Sequence, residues 1–319
     1  MVQLANTFDQ YDTVGDREDL GDMIFDVSPS ETPILSAIKK GTAKNVNHEW
    51  QTDALAAAAA NANLEGDDSQ NADSLSATTR LNNQTQILKK KIVVSGTQEK
   101  GMDHAGVRSE MAYQEAKKMK EIKLDCEFAI LDNGNALGNA KVVGNATTAR
   151  EMASLATYLT SNVSFGTGGA AATGDGTDVL TAGTDRNLTE ALLTTVLASC
   201  WDNGGDPTLL AVSSTNKGVV SDFDGGSTRY IDTDTKKLVH SIDVYVGDFH
   251  TLKVVPCRQL VGDNVYAIDP NYLKLSDLRG LNSYELAKTG DNFKREMVWE
   301  TTLEVCNEAA HGMICDTNG

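Results

Sequence analysis

Adjacent imidazole and acidic side chains near residue 50 are the first residues whose types suggest chemistry. His48 and Glu49 could exchange a proton, and Glu49 with Asp53 would supply two carboxylates for general acid–base catalysis. The surrounding residues 46–55 alternate in polarity and predict a β-strand. Because neighbours on a strand point to opposite faces, His48 and Glu49 would not share a site. The pair therefore favours a structural role, and an enzyme that uses Glu49 and Asp53 stays an alternative.

The cysteines offer a second candidate chemistry, because Cys306 and Cys315 flank His311. A structural zinc site needs four ligands, and the sequence offers no fourth ligand near these three. The chain has no CxxC pair, and an odd, scattered set of cysteines is typical of buried thiols rather than of disulfides or zinc sites. We therefore predict free thiols, no metal site and no cofactor. The five cysteines are Cys126, Cys200, Cys257, Cys306 and Cys315.

Two further patterns resemble ligand-binding loops only superficially. The acidic segments 175–178 and 222–225 do not continue with the spacing of a calcium loop, so plain acidic turns are the simpler interpretation. Glycines at 166–169 match part of a dinucleotide fingerprint, but no helix-forming segment follows them. The sequence also lacks the motifs of serine hydrolases, zinc proteases and nucleotide-binding P-loops. It therefore predicts no catalytic residue.

Composition and charge exclude several classes of protein. The 319 residues are 40% hydrophobic and 23% charged, as in ordinary globular proteins. The formal net charge of -17 disfavours tight binding to nucleic-acid phosphates. No apolar run is long enough to cross a bilayer, and the first ten residues lack the basic and apolar parts of a signal peptide. These features predict a protein made and kept in a cytoplasm, without membrane contact or specific nucleic-acid binding.

A long helix is the strongest structural prediction. Residues 103–132 contain no proline and are rich in alanine, lysine, glutamate and methionine, with Asp103 at the N-cap position. Apolar residues recur at spacings of three, four and seven and predict a narrow buried stripe. At about 1.5 Å per residue, this helix would span roughly 45 Å. It would serve as a strut for other elements, although an ordinary amphipathic helix fits the same pattern.

Two extended regions precede this helix. Residues 1–45 contain apolar anchors interrupted by Pro29 and Pro33, which predicts an arm with one or two short helices, one of them starting at Pro33. Strand-like residues 46–55 and 84–98 flank a long stretch of small and polar residues that cannot form a core. So long an excursion indicates a loop that contacts a partner, and a floppy surface loop is the alternative.

The chain changes character twice after the long helix. Residues 134–186 are rich in glycine, alanine and threonine and predict a flexible insertion. Residues 187–205 predict a helix capped by Asn187 and ended by two glycines, followed by a buried strand and a short helix. From residue 238 onward, apolar alternation predicts strands, the last of which pair beside the long helix.

Three short motifs near the start of the chain carry a family resemblance. They are Arg-Glu-Asp-Leu at 17–20, the segment 24–35 that contains Ser-Pro-Ser-Glu-Thr-Pro, and His-Glu-Trp-Gln-Thr-Asp at 48–53. Together they resemble the opening of a family of tailed-bacteriophage major capsid proteins. The order of the later elements agrees with the α+β, Hong Kong 97-like capsid fold that this resemblance implies.

The implied fold divides the chain into five regions. They are an N-terminal arm (1–45), an extended hairpin loop or E-loop (46–100), the spine helix of the peripheral (P) domain (101–133), an axial (A) domain with the insertion (134–237), and the remaining A-domain strands with the return to the P-domain sheet (238–319). The family often carries an N-terminal scaffolding region, whereas this chain starts at the arm. The resemblance therefore implies a separate scaffolding protein or none.

The resemblance implies a major capsid protein, and not an enzyme, that self-assembles into pentamers and hexamers of an icosahedral shell around double-stranded DNA. It implies a place in the virion after assembly in the host bacterial cytoplasm, with portal and decoration proteins as further partners. An encapsulin-like compartment subunit, a cytoplasmic α/β enzyme and a phage tail or adhesin protein are the alternatives. The only basic run, 89–91, is expected on the hairpin against an acidic neighbouring subunit. Candidate subunit-interface residues are Phe25, Ile34, Leu35, Trp50, Lys89, Lys90 and Lys91.

Overall fold

The computed structural model describes residue 24 and residues 28–62, 65–66, 75–101, 106–223, 243–260 and 264–318. Phe25, one of the candidate interface residues, lies outside them, as does the 17–20 motif. The α-helices of the described residues are α1 (Pro33–Ala37), α2 (Gly96–Lys100), α3 (Glu110–Leu131), α4 (Glu190–Asp202) and α5 (Ser214–Ser221). Short 3₁₀ helices are formed by Leu155–Tyr158 and Glu308–Ala310.

The strands of the described residues fall into three sheets. They are β1 (Lys39–Thr42), β2 (Asn47–Thr52), β3 (Thr79–Gln84), β4 (Gln86–Ser95), β5 (Val163–Ser164), β6 (Leu209–Val212), β7 (Val244–Val246), β8 (Thr251–Pro256), β9 (Val265–Ile268), β10 (Leu273–Glu285), β11 (Asn292–Val305) and β12 (Gly312–Ile314). None of the helices in the described ranges is both long and apolar enough to cross a membrane.

The long helix α3 is shorter than the sequence predicts. Its N-cap is Ser109, whose Oγ accepts the backbone N–H of Ala112 at 3.2 Å. Gly106 has a φ of +74°, a left-handed conformation that a continuing helix would not contain. The predicted cap Asp103 lies outside the described residues. The 22 residues of α3 therefore span about 33 Å rather than 45 Å.

A four-stranded sheet lies beside α3 and joins distant parts of the chain. Its order is β1, β10, β11, β4, with β10 antiparallel to β11, β11 antiparallel to β4, and β1 parallel to β10. The helix packs on β4 and β11. The prediction that the C-terminal strands pair beside the long helix is confirmed. The apolar face of this sheet contributes Leu88, Ile92, Leu275 and Leu303 to the main core.

The second sheet has six strands in the order β5, β12, β9, β6, β8, β7 and is covered by α4 and α5. Every residue of β6 and β9 is buried, as the apolar run at 209–212 predicts. The helix, strand and helix predicted from residue 187 onward are confirmed. The N-cap of α4 is Thr189, not Asn187, since the hydroxyl of Thr189 accepts the N–H of Leu192.

The third sheet is the two-stranded hairpin of β2 and β3, connected by residues 53–78. The sequence predicted that the strand within 84–98 returns from this loop. The structure corrects this: β3 is the return strand, and β4 belongs to the four-stranded sheet. Residues 79–84 escaped prediction because all of them except Leu81 are polar and only Thr79 is β-branched.

The glycine-rich insertion is folded against the body of the subunit. The carboxylate of Asp316 accepts the backbone N–H groups of Gly166 and Gly183, each at 2.9 Å. Ala172 and Leu180 are buried in the main core. Composition alone predicted a flexible segment, because one of the groups that fix it, the carboxylate of Asp316, comes from the far end of the sequence.

Candidate functional site

The hairpin of β2 and β3 forms a sheet of its own, and polar contacts fix its base. Asn83 is fully buried; its amide nitrogen donates to the carbonyl of Leu303 at 2.9 Å, and its Oδ1 accepts the N–H of Ala153 at 2.9 Å. Thr302 donates its hydroxyl proton to the carbonyl of Gln84 at 2.9 Å. Buried polar groups with partners of this kind hold one geometry, so the hairpin leaves the body in a fixed direction.

Glu304, on β11, ties the other hairpin strand to the four-stranded sheet. Its Oε2 lies 3.1 Å from Nε2 of His48 and accepts the hydroxyl of Ser276 at 2.9 Å, and its Oε1 accepts from Nζ of Lys274 at 3.1 Å. The hydrogen bond with His48, helped by those from Lys274 and Ser276, outweighs burial and lowers the pKa of Glu304 to about 2. One carboxylate therefore joins β2, β10 and β11.

Glu300, four residues before Glu304 on β11, forms a second junction. Its side chain is only 4% exposed, and it accepts from Nη2 of Arg150 at 2.6 Å and from Nε of Arg279 at 2.6 Å. Thr85, between β3 and β4, also donates to it at 3.1 Å. The two guanidinium groups compensate the charge of this buried carboxylate and hold its side chain in place from two elements.

The candidate acid–base residues are not assembled into a reactive pair. Glu49 accepts from Nη2 of Arg80 at 2.7 Å on the face of the hairpin opposite to His48, whose ring faces Glu304. Asp53 is exposed beyond the end of β2. The side chains of His48 and Glu49 point to opposite faces, as strand alternation predicts. Their contacts hold the hairpin, and they bring no two carboxylates together.

The cysteines and His311 also take structural positions. All five thiols are free, and all except the partly exposed Cys306 are buried. Burial is the main cause that raises the pKa of Cys200 and of Cys257 to about 12. His311 accepts the N–H of Asp269 through Nδ1, and burial lowers its pKa to about 4. Within the described ranges, no three His, Cys, Asp or Glu side chains are grouped to hold a metal ion.

In the acidic turn at 175–178, the carboxylates of Asp175 and Asp178 accept hydrogen bonds from residues of the turn and from Thr173 beside it. Oδ1 of Asp175 accepts from the backbone and hydroxyl of Thr177 and from the hydroxyl of Thr173, and Asp178 accepts the N–H of Thr173 at 2.9 Å. Burial raises the pKa of Asp175, but these hydrogen bonds, with the charge of Lys141, lower it overall. This is the geometry of a self-bonded turn, the simpler of the two interpretations of the sequence.

Three of the candidate interface residues are anchors within their own subunit. Ile34 is fully buried, and Leu35 is partly buried against the same core. Trp50 is buried as well, with its ring centroid 5.8 Å from that of Tyr158. These side chains fasten the arm and hairpin to the body, so they present little surface to a neighbouring subunit.

The three lysines lie on β4 in the four-stranded sheet and not on the hairpin. Lys89 forms an ion pair with Glu296, and Lys90 pairs with Asp125 at 2.6 Å. Lys91 is exposed and forms no ion pair with any residue that the structure describes. Two of the three charges are thus neutralised within the subunit, which leaves Lys91 as the exposed lysine of this run without an ion pair among the described residues.

The loop beyond the hairpin carries two leucines that sequence reasoning did not single out. Leu55 is 100% exposed and Leu75 is 96% exposed, although both are large apolar side chains. Around them, the described loop residues are exposed and are either small or polar. The signal was present in the sequence, since the large apolar residues of the stretch 53–78 are three isolated leucines, at 55, 64 and 75. Leucines placed this way on a projection with a fixed base suit contact with another chain.

Comparison with known proteins decides the family. The family model described as SU10 major capsid protein matches residues 4–318, nearly the whole chain. The chain belongs to the SU10 major capsid protein family. It is therefore a phage major capsid protein, a structural component of the virion, and the predicted resemblance to phage major capsid proteins is confirmed.

Relatives and solved structures of capsids agree with this assignment. The major capsid protein of Escherichia phage Phieco32 is 36% identical over 125 residues, which cover 39% of this chain and 35% of that relative. The Cyanophage A-1(L) capsid asymmetric unit aligns with a TM-score of 0.64 at 13% identity, over 97% of this chain and 98% of the other. A chain from Mycobacterium phage Cain gives 0.60 at 11% identity, over 95% of each chain. Likeness at such low identity shows the fold, and the Hong Kong 97-like fold predicted for this capsid protein is confirmed.

Proposed function

We propose that this capsid protein assembles as pentamers and hexamers of an icosahedral shell that encloses double-stranded DNA, and that the loop between β2 and β3 is a principal contact between neighbouring subunits. The observation that carries the proposal is the pair of fully exposed leucines, Leu55 and Leu75, on a hairpin with a fixed base. Burial of a leucine side chain stabilises an interface by roughly 1.5–3 kcal/mol. In a symmetric shell the same contact recurs at every subunit, so many copies of a modest interface together stabilise the lattice.

The fixed base of the hairpin supports this role because it lowers the cost of association. A loop that swings freely must lose conformational entropy when it binds. Here Glu304 and Asn83 hold β2 and β3 against the body before any neighbour arrives. The loop's apolar residues are therefore presented in a restricted region of space.

We propose a division of the chain that follows sheet membership. The arm (1–45) and the hairpin loop keep the predicted order, and the P domain comprises α3 with the four-stranded sheet, including β4. The A domain comprises the six-stranded sheet with α4 and α5, and the insertion contributes the edge strand β5 to this sheet. Residues 86–100 therefore move from the predicted E-loop region to the P domain.

We propose assembly in the host bacterial cytoplasm, together with a portal, a decoration protein and, where one is needed, a separate scaffolding protein. The net charge of -17 supports a wall that encloses DNA without tight binding to its phosphates. The subunit's residues supply no acid–base pair or metal group within the described ranges, and the proposal assigns them no catalytic role.

The test replaces both exposed leucines and leaves the hairpin base intact. The double variant Leu55→Ser/Leu75→Ser should keep the circular dichroism spectrum of the parent, because neither side chain contacts the core. Particles in negative-stain electron microscopy, and the fast-sedimenting species in sedimentation velocity, should be lost or strongly reduced. Ala56→Ser, on the same exposed stretch, is the matched control and should assemble normally. Normal shells from the double variant would refute the hairpin contact.

Lys91 provides a second test of the surface that meets a neighbour. Reversal of all three lysines would also break the pairs with Glu296 and Asp125, so a loss of assembly could come from the subunit itself. The single change Lys91→Glu avoids that ambiguity, because its ammonium has no ion-pair partner among the described residues. We expect weaker assembly with unchanged helix content. Parent-like particles at every salt concentration would exclude Lys91 from the interface.

A further inference from the structure

A buried carboxylate on the spine helix α3 contacts the helix of the N-terminal arm. Glu127 is fully buried, and its Oε2 accepts the backbone N–H of Leu35 at 3.1 Å across 92 residues of sequence. Its Oε1 is also buried and has no hydrogen-bond partner among the residues that the structure describes. A carboxylate in this state is half satisfied, so its protonation strongly affects the energy of the contact.

Glu127 takes the place of the cap that α1 lacks. Thr32 occupies the N-cap position of α1 but makes no side-chain hydrogen bond to the helix, and Pro33 has no N–H to donate. The first free donors of α1 belong to Ile34 and Leu35; the N–H of Leu35 donates to the Glu127 carboxyl group, and the N–H of Ile34 lies near enough to help lower its pKa. The start of the arm helix is thus held by the spine helix rather than by its own residues.

The surroundings of Glu127 favour its neutral form. Burial raises the pKa of this carboxyl group from 4.5 to about 7, although the backbone N–H groups of Leu35 and Ile34 lower it in part. No cation among the described residues contributes to this balance. Glu127 therefore gains or loses its proton within the pH range of ordinary biochemical buffers.

The other titratable groups near Glu127 carry no compensating charge. Its charge acts on the thiols of Cys126, beside it on α3, and Cys257, just after β8, and burial raises the pKa of both thiols so that they stay neutral. The remaining groups that act on these thiols are the carboxylates of Asp125, Asp132 and Asp277. The arm helix itself, Pro33–Ala37, contains no titratable residue.

We propose that Glu127 is a proton-controlled latch: in its neutral form it holds the arm helix on the spine helix, and in its ionised form it weakens that docking. The latch uses contacts within one subunit, so it does not depend on the proposed hairpin contact or on the symmetry of the shell. The fully buried side chain of Ile34 anchors the arm helix in its docked position. The protonation state of Glu127 then determines how strongly the arm helix is held there.

The direction of the effect follows from the two protonation states. An undocked arm exposes the carboxyl group to water, where its pKa returns to the ordinary value near 4.5, whereas docking raises the pKa to about 7. Docking is therefore strongest below pH 4.5, weakens as the pH rises to about 7, and changes little above that. Each pH unit within this window corresponds to about a tenfold change in the docking equilibrium.

Hydrogen–deuterium exchange of the full-length, unassembled subunit measures the docking directly. After correction for the intrinsic exchange rate at each pH, the protection of a peptide covering residues 33–38 should fall on the order of a hundredfold between pH 5 and pH 7.5. The variant Glu127→Gln keeps the shape and the acceptor oxygen but cannot ionise. Its protection should stay near the acid value of the parent at every pH.

The matched control is Asp125→Asn, which removes a carboxylate two residues away on the same helix that pairs with Lys90 of β4. This variant should keep the pH profile of the parent. A parent profile that is flat from pH 5 to pH 7.5, or a Glu127→Gln profile that follows the parent, would overturn the latch. Should Glu127→Gln fail to fold, the profile of the unsubstituted subunit still decides the question.

Discussion

Glu304 should contribute a measurable part of the subunit's stability, because it binds the hairpin to the sheet. We expect Glu304→Gln to keep the shape of the side chain while it removes the charge that His48, Lys274 and Ser276 surround. The difference between the ordinary pKa of 4.5 and about 2, at about 1.4 kcal/mol per pH unit, sets an upper value of about 3.4 kcal/mol. Lys274 is 37% exposed, so solvent screens part of its attraction, and we expect a loss of about 2 kcal/mol at pH 7.

The pH dependence of this loss distinguishes charge from shape. Since folding lowers the pKa of Glu304, its contribution is complete above pH 4.5 and disappears as the pH falls toward 2. Urea unfolding of the unassembled subunit should therefore show a difference between parent and Glu304→Gln at pH 3 that is less than half of that at pH 7. The control is Glu285→Gln, at the exposed end of β10, which should change stability little. A loss below about 0.5 kcal/mol at pH 7, or an equal loss at both pH values, would refute the reasoning.

Two further predictions concern buried groups. Arg150→Met should destabilise the subunit by about 2 kcal/mol and Arg279→Met by about 1 kcal/mol or less, because the side chain of Arg150 is 25% exposed and that of Arg279 is 52% exposed. Urea unfolding checks the order, and a larger loss at Arg279 would contradict it. In the folded subunit, a thiol reagent should modify Cys306 first, since the other four thiols are buried. Peptide mass spectrometry identifies the modified thiol, and fast modification of Cys257 would be inconsistent with the packing.

Local patterns in the sequence were sufficient to predict most of the elements. Pro33 marked the first residue of α1, and the apolar runs before 212 and around 266 marked buried strands. Hydrophobic periodicity found α3 and α4, because each helix needs one face against the core. The helix ends were predicted less accurately. The N-caps are Ser109 for α3 and Thr189 for α4, rather than Asp103 and Asn187. Several residues near each start are able to cap a helix, so the sequence does not decide between them.

The candidate site could be predicted only in part, because it is built from contacts between distant residues. The loop at 53–78 was visible as a long stretch without a core, and its predicted partner contact stays a prediction. Its anchors were not visible, since Glu300 and Glu304 meet residues up to 256 positions away. The lysine run was misplaced because a β-branched segment, Ile92 onward, suits either a hairpin or an internal sheet until its partner β11 is known.

The four-stranded sheet combines strands from distant parts of the chain, and this determines when the sheet can form during protein synthesis. β1 and β4 come from the first hundred residues, whereas β10 and β11 end only at Val305. On the ribosome, α3 can form from local contacts, but the strand that lies between β4 and β10 is translated about two hundred residues after β4. A nascent chain therefore cannot anchor its hairpin until β11 has been translated. The hairpin of a newly made subunit thus becomes rigid only when β11 joins β4 and β10 in the sheet.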